Sequence, residues 1–86
     1  MDKDQIERAT NAARDEARII ASMIGGDAWK IASAVFEKQL AKFLKKVKQS
    51  RKQGDYFCAD CETKILMYEV ANELNSIVNK SLLTRP

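Results

Sequence analysis

The sequence predicts an all-α fold, a three-helix bundle with a long central helix 2, a short Gly-Gly turn and one Cys-containing loop. Two observations carry this. Apolar residues recur at steps of three and four in three successive segments. Between them, the only helix-breaking signals are Gly25-Gly26 and Gly54, the single Pro standing at position 86. The expected helices run over 3–24, 27–53 and 61–83, joined at Gly25-Gly26 and at 54–60. At 86 residues the chain is one domain, 1–86, with a thin core that association would help.

In the first helix, Asp2 or Asp4 is placed to cap the N-terminus, where an acid also suits the helix dipole. Ile6, Ala9, Ala13, Ala17, Ile20 and Ile24 form its seam, and the alanines let a neighbouring helix approach closely. Arg8, Arg14 and Arg18 alternate with Glu7, Asp15 and Glu16, which gives an exposed face with mutual i,i+3 and i,i+4 support. The short Gly25-Gly26 connection makes the first two helices a tight antiparallel hairpin or a sharply crossed pair. A DNA-reading helix-turn-helix is disfavoured, because the second helix is too long and too apolar at its start.

The second helix organises the chain. Asp27 stands at its N-cap and Gly54 at its stop, and Lys and Arg crowd its last turns. At about 1.5 Å per residue it is a rod of roughly 39 Å. Trp29, Ala32, Phe36, Leu40, Phe43 and Val47 step by three and four, with Leu44 beside them and Ser33 and Arg51 along the same edge. This stripe is the expected core seam. Ile31 and Val35 fall about 100–140° away from it, so the first half is apolar on two sides. A surplus apolar side points to a partner, and Trp29, Ile31 and Val35 are the candidate partner-binding residues. Burial of Ile31 and Val35 by another helix of the same chain is the plainer alternative. In the second half, Lys38, Lys42, Lys45, Lys46, Lys48 and Lys52 are expected to cover the side opposite the seam. They are either a solvated face or a site for nucleic acid or another anion.

The third helix is expected to begin near Asp60 or Glu62. Met67, Val70, Ala71, Leu74, Ile77, Val78 and Leu82 form its stripe, with Leu66 at the edge and Ile65 and Tyr68 toward the other side. Glu69 and Glu73 read as an exposed acidic pair with no special role. The tail 84–86 is expected to fray.

Composition excludes several functions. There is no histidine, which removes the commonest general base and metal ligand. No Ser/His/Asp or Cys/His set, phosphate loop or carboxylate cluster at helical spacing is present, so no enzyme activity and no small-molecule substrate are expected. No apolar run approaches the roughly 18–20 residues of a membrane span, and a cytoplasmic protein with no membrane partner is expected. The net charge is +3, but residues 37–52 hold seven of the fifteen Lys/Arg and one of the twelve acids, leaving −3 for the rest. Such polarisation steers association.

Cys58-Ala59-Asp60-Cys61 has the spacing of two thiolates sharing a metal. It resembles half of a zinc-ribbon or zinc-knuckle site over these few residues. The missing ligands would come from Asp55, Asp60 or Glu62, or from the same pair in a second copy, which makes a dimer-bridging zinc site the chemically sensible version. A redox reading has the spacing but lacks a βαβ context. Otherwise one Cys is a small core residue and the other incidental, or the pair forms an adventitious disulfide. Tyr56, Phe57 and Tyr68, near the basic end of the second helix, are either core caps or a stacking platform for single-stranded nucleic acid.

The expected function is a small non-enzymatic protein-binding module, a regulator, inhibitor or assembly factor, docking or forming a homodimer through the second helix. A nucleic-acid-binding accessory protein using the lysines ranks second, and a zinc-binding protein third.

Overall fold

The computed structural model describes residues 1–54 and 56–83, with side chains through residue 80. Three helices make up the fold: α1 (Lys3–Ile24), α2 (Ala28–Gln53) and α3 (Ala59–Leu83). Each packs on both others, and the short connections make the order up-down-up. The bundle is slender, 52 × 20 × 17 Å. Its radius of gyration is 14.4 Å, against about 12 Å for a globular chain of this length.

The helix ends follow from local chemistry. Asp2 caps α1 reciprocally with Gln5: the Gln5 backbone N–H donates to Asp2 Oδ1 at 2.8 Å, and the Asp2 N–H donates to Gln5 Oε1 at 2.9 Å. Gly25, at φ +84°, closes α1 by donating its N–H to the Ala21 carbonyl. Gly54 takes the left-handed conformation that ends α2, donating to the Ser50 carbonyl. Asp27 departs from expectation. It occupies the N-cap position of α2, but its side chain makes no capping hydrogen bond. Instead, backbone bonds from Ala28 to the Gly25 carbonyl and from Lys30 to the Asp27 carbonyl carry the chain around the turn. Helix α3 starts at Ala59, two residues earlier than expected, for a reason given below. The expectations for the side chain of Leu82, for Asp55 and for the tail 84–86 lie outside the described residues.

The core is built on small residues from α1 and mostly larger ones from the other two helices. Ala9, Ala13, Ala17 and Ala21 are buried, flanked by the half-buried Ile6 and Ile20. The absence of side-chain bulk lets both neighbours close onto α1. From α2 come Ala28, Ala32, Val35, Phe36, Phe43 and Val47, and from α3 come Leu66, Val70 and Leu74. Arg14 and Arg18 reach over Phe36 and Trp29, with guanidinium-to-ring distances of 5.4 and 5.5 Å, so aliphatic stems and cationic heads cover the edge of the α1–α2 contact.

Two expectations about α2 need correction. Val35 is not on a surplus face: it is 4% exposed and part of the core. The buried arc is turned by about 45°, at roughly 100° per residue, from the Trp29–Phe43 stripe toward Val35 and Gln39. The cause is that α2 must face α1 and α3 at once, and a wheel drawn from one stripe centres on only one neighbour. The turn leaves Trp29 and Leu44 exposed and Leu40 half-buried.

Candidate functional site

Two surfaces, one at an end of the bundle and one along a flank, have features that packing alone does not account for. The first surrounds the Gly25-Gly26 turn. Ile19, Met23 and Ile24 at the end of α1, and Trp29 and Ile31 at the start of α2, are all exposed, Met23 to 79% and Ile31 to 49%. Ile19 and Met23 are one turn apart on α1 and share a face. Nearby, Arg18, Ala21, Ser22, Gly25, Gly26 and Trp29 line an open depression. Positive φ at Gly25 and Gly26 makes the turn tight enough to hold these side chains at one end of the molecule. Of the three expected partner-binding residues, the structure brings Trp29 and Ile31 to this surface and withdraws Val35. It adds Ile19, Met23 and Ile24. For the first two the signal in the sequence was position: both lie off the alanine seam of α1.

The second surface is the α2–α3 flank, where the lysine expectation changes most. Lys38, Lys42 and Lys46 do not stand opposite the core; they run along the border with α3. Lys38 Nζ donates to Glu73 Oε1 at 2.8 Å, and Lys46 Nζ donates to Glu62 Oε2 at 3.3 Å. Lys42 and Lys46, with Glu62 and Glu69, rim a groove of about 230 Å³ that also touches Phe43, Ile65 and Leu66. Glu69 and Glu73, expected to be an exposed pair without a role, are the acids that face these lysines from α3. The buried Gln39 completes the arrangement, its Nε2 donating to the same Glu73 Oε1 at 2.9 Å. The Lys38 hydrogen bond, followed by that of Gln39 and the charges of Lys38 and Lys42, holds the Glu73 carboxyl below its ordinary value against the opposing effect of burial. Lys45, Lys48 and Lys52 are exposed, and helical spacing puts them on the outer side of α2.

The expected aromatic platform is also divided. Phe57 is half-buried and packs its ring 6.5 Å from that of Phe43 at 60°, so it closes the core at this end. Tyr56, at 92% exposure, and Tyr68 remain outside.

Cys58 and Cys61 are joined as a disulfide at the start of α3. Their sulfurs are bonded to each other, the disulfide alternative of the sequence reading, so in this state neither is a thiolate that could ligate zinc. Among the described residues, no three His, Cys, Asp or Glu side chains come together as a metal site. Cys58 also explains the early start of α3: its Sγ accepts from the Cys61 backbone N–H at 3.2 Å, and its carbonyl accepts from the Glu62 N–H at 3.0 Å. Cysteine is not among the favoured capping residues, so the sequence points to a later boundary.

No helix among the described residues is long and apolar enough to cross a membrane. Comparison with protein-family models, with curated proteins and with solved structures finds no match to this chain.

Proposed function

We propose that this chain is a small non-enzymatic protein-binding module, of the regulator, inhibitor or assembly-factor kind, that docks through the Gly25-Gly26 end of the α1–α2 hairpin. The occupant is another protein or a second copy of the chain. One observation carries the reading: five large apolar side chains, Ile19, Met23, Ile24, Trp29 and Ile31, are exposed within one stretch around a tight turn. Single exposed apolar residues are ordinary, whereas a group of them at one end is the usual mark of an association surface. Trp29 has the character of an anchor: it is large and held by Arg18 along one side.

The nucleic-acid reading draws less support. Two of its six lysines, Lys38 and Lys46, are engaged by acids of α3, and each pairing lowers the charge available to phosphates.

The test is Met23→Glu combined with Ile31→Glu, assayed by sedimentation velocity and by pull-down from the native host. Because both side chains are exposed, the change in stability should stay within about 0.5 kcal/mol and helicity should persist. The expected result is loss of self-association or of a captured partner. Unaltered association in the doubly substituted chain would sink the reading.

A further inference from the structure

We propose that the Cys58–Cys61 disulfide is a reversible thiol–disulfide exchange site, reduced by a dithiol, with Cys61 as the sulfur attacked and Cys58 as the leaving group. Three observations lead there, none shared with the docking surface at the other end.

The bond is not placed as a structural staple. It links residues three apart within one turn whose backbone is already held by the Glu62 N–H to the Cys58 carbonyl. Closing so short a loop removes little freedom from the unfolded chain. Chain topology would be the same with the thiols free.

The two sulfurs differ in access. Cys61 is exposed and Cys58 half-buried. Cys61, Ile65 and Tyr68 step by four and three along α3, and all three are exposed, so the attacked sulfur lies on the outward face of the helix. Tyr56, also exposed, precedes the pair.

The two sulfurs also differ in what stabilises a negative charge. Cys58 is at the N-terminal cap of a 25-residue helix, and its Sγ already accepts the Cys61 backbone N–H. A thiolate released there meets the positive end of the helix dipole and a donor in position. Cys61, inside the first turn, has no such donor aimed at its sulfur among the described hydrogen bonds.

The exchange then runs as follows. A thiolate of the dithiol attacks Cys61 Sγ along the S–S axis. The S–S bond breaks and its electron pair goes to Cys58 Sγ. The second thiolate of the donor attacks its own sulfur in the mixed disulfide, releasing Cys61 as a thiolate. Both thiolates take protons from water. Two electrons pass from donor to protein, and the donor leaves as a disulfide.

The test uses the full chain with dithiothreitol and a glutathione redox buffer as probes. Reduction and reoxidation should be reversible, with helicity retained and a thermal midpoint that moves by no more than a few degrees. A small amount of a monothiol probe, quenched in acid and mapped by peptide mass, should place the mixed disulfide on Cys61. In Cys61→Ser, the remaining Cys58 should react with a disulfide reagent at pH 6 several-fold faster than N-acetylcysteine; in Cys58→Ser, the remaining Cys61 should show no such gain. Unfolding on reduction would make the bond a staple and overturn the proposal. So would a mixed disulfide mapped to Cys58, equal reactivity of both variants with the free thiol, or stoichiometric zinc retained by the reduced chain.

Discussion

The two ends of this bundle are finished in opposite ways. Where α2 passes into α3, the chain is tied down repeatedly: the Phe43–Phe57 ring contact, the Lys46–Glu62 ion pair and the hydrogen bond from the Arg51 guanidinium to the Met1 carbonyl all lie there. Where α1 turns into α2, two glycines make the connection and Ile19, Met23, Ile24, Trp29 and Ile31 stand in solvent. The contrast separates the contacts that hold the fold from apolar surface that the fold leaves exposed. Contacts of stability concentrate along the middle and at the fastened end, and the unfastened end carries apolar surface for which the fold has no use.

The comparison breaks most severely if the middle is not the source of stability. Leu74 is 1% exposed, so Leu74→Ala should cost about 2–5 kcal/mol. For a chain of this size that lowers the thermal midpoint by roughly 4–8 °C per kcal/mol, measured by circular dichroism. A loss comparable to that of an exposed residue such as Met23 would mean that the three helices are not packed as described. A smaller effect tests the alanine seam. Ala13 is fully buried, and Ala13→Leu must force α2 and α3 away from α1, at a cost of about 1–3 kcal/mol. A neutral substitution in urea unfolding would show that the helices do not approach closely at that level.

The smallest effect sharpens the flank between the ends. Glu73→Gln removes the charge that Lys38 and Gln39 share, and should cost roughly 0.5–1 kcal/mol near neutral pH, since Lys38 is largely solvated. Its pH dependence is more telling than its size. The folded carboxyl titrates below the ordinary value of 4.5. Its contribution is therefore present above about pH 4.5 and lost as pH falls through the lower folded value. The difference in stability between wild type and Glu73→Gln should shrink on acidification through that window. A difference that holds constant down to pH 3 would contradict the hydrogen bonding described here.

Much of the fold was legible in the sequence because its punctuation is strong. Gly25-Gly26 and Gly54 end two helices where glycine chemistry says they should, and the α1 seam reads from its spacing as far as Ile20, beyond which Ala21 is buried and Ile24, expected in the seam, is exposed. The division between Ile31 and Val35 was not legible. They are one turn apart, and only the positions of two neighbouring helices decide that one is core and the other surface. The lysines misled for a related reason. A row of like charges on one helix looks solvated until the opposing row is known, and Glu62, Glu69 and Glu73 belong to a helix that reaches them only after the chain reverses. The start of α3 was misplaced because a cysteine took a position usually held by Ser, Thr, Asp or Asn.

The oxygen of Glu73 that accepts from both Lys38 and Gln39 acts as an index mark for α3. Slide that helix one turn, about 5.4 Å, in one direction and Ile77 arrives opposite the buried amide of Gln39, which is then left thirsty. Slide it the other way and Glu69 can greet Gln39, but Lys46 loses Glu62 and finds Cys58. Neither misalignment satisfies both polar partners, so a side chain of modest energy settles the phase of the whole assembly.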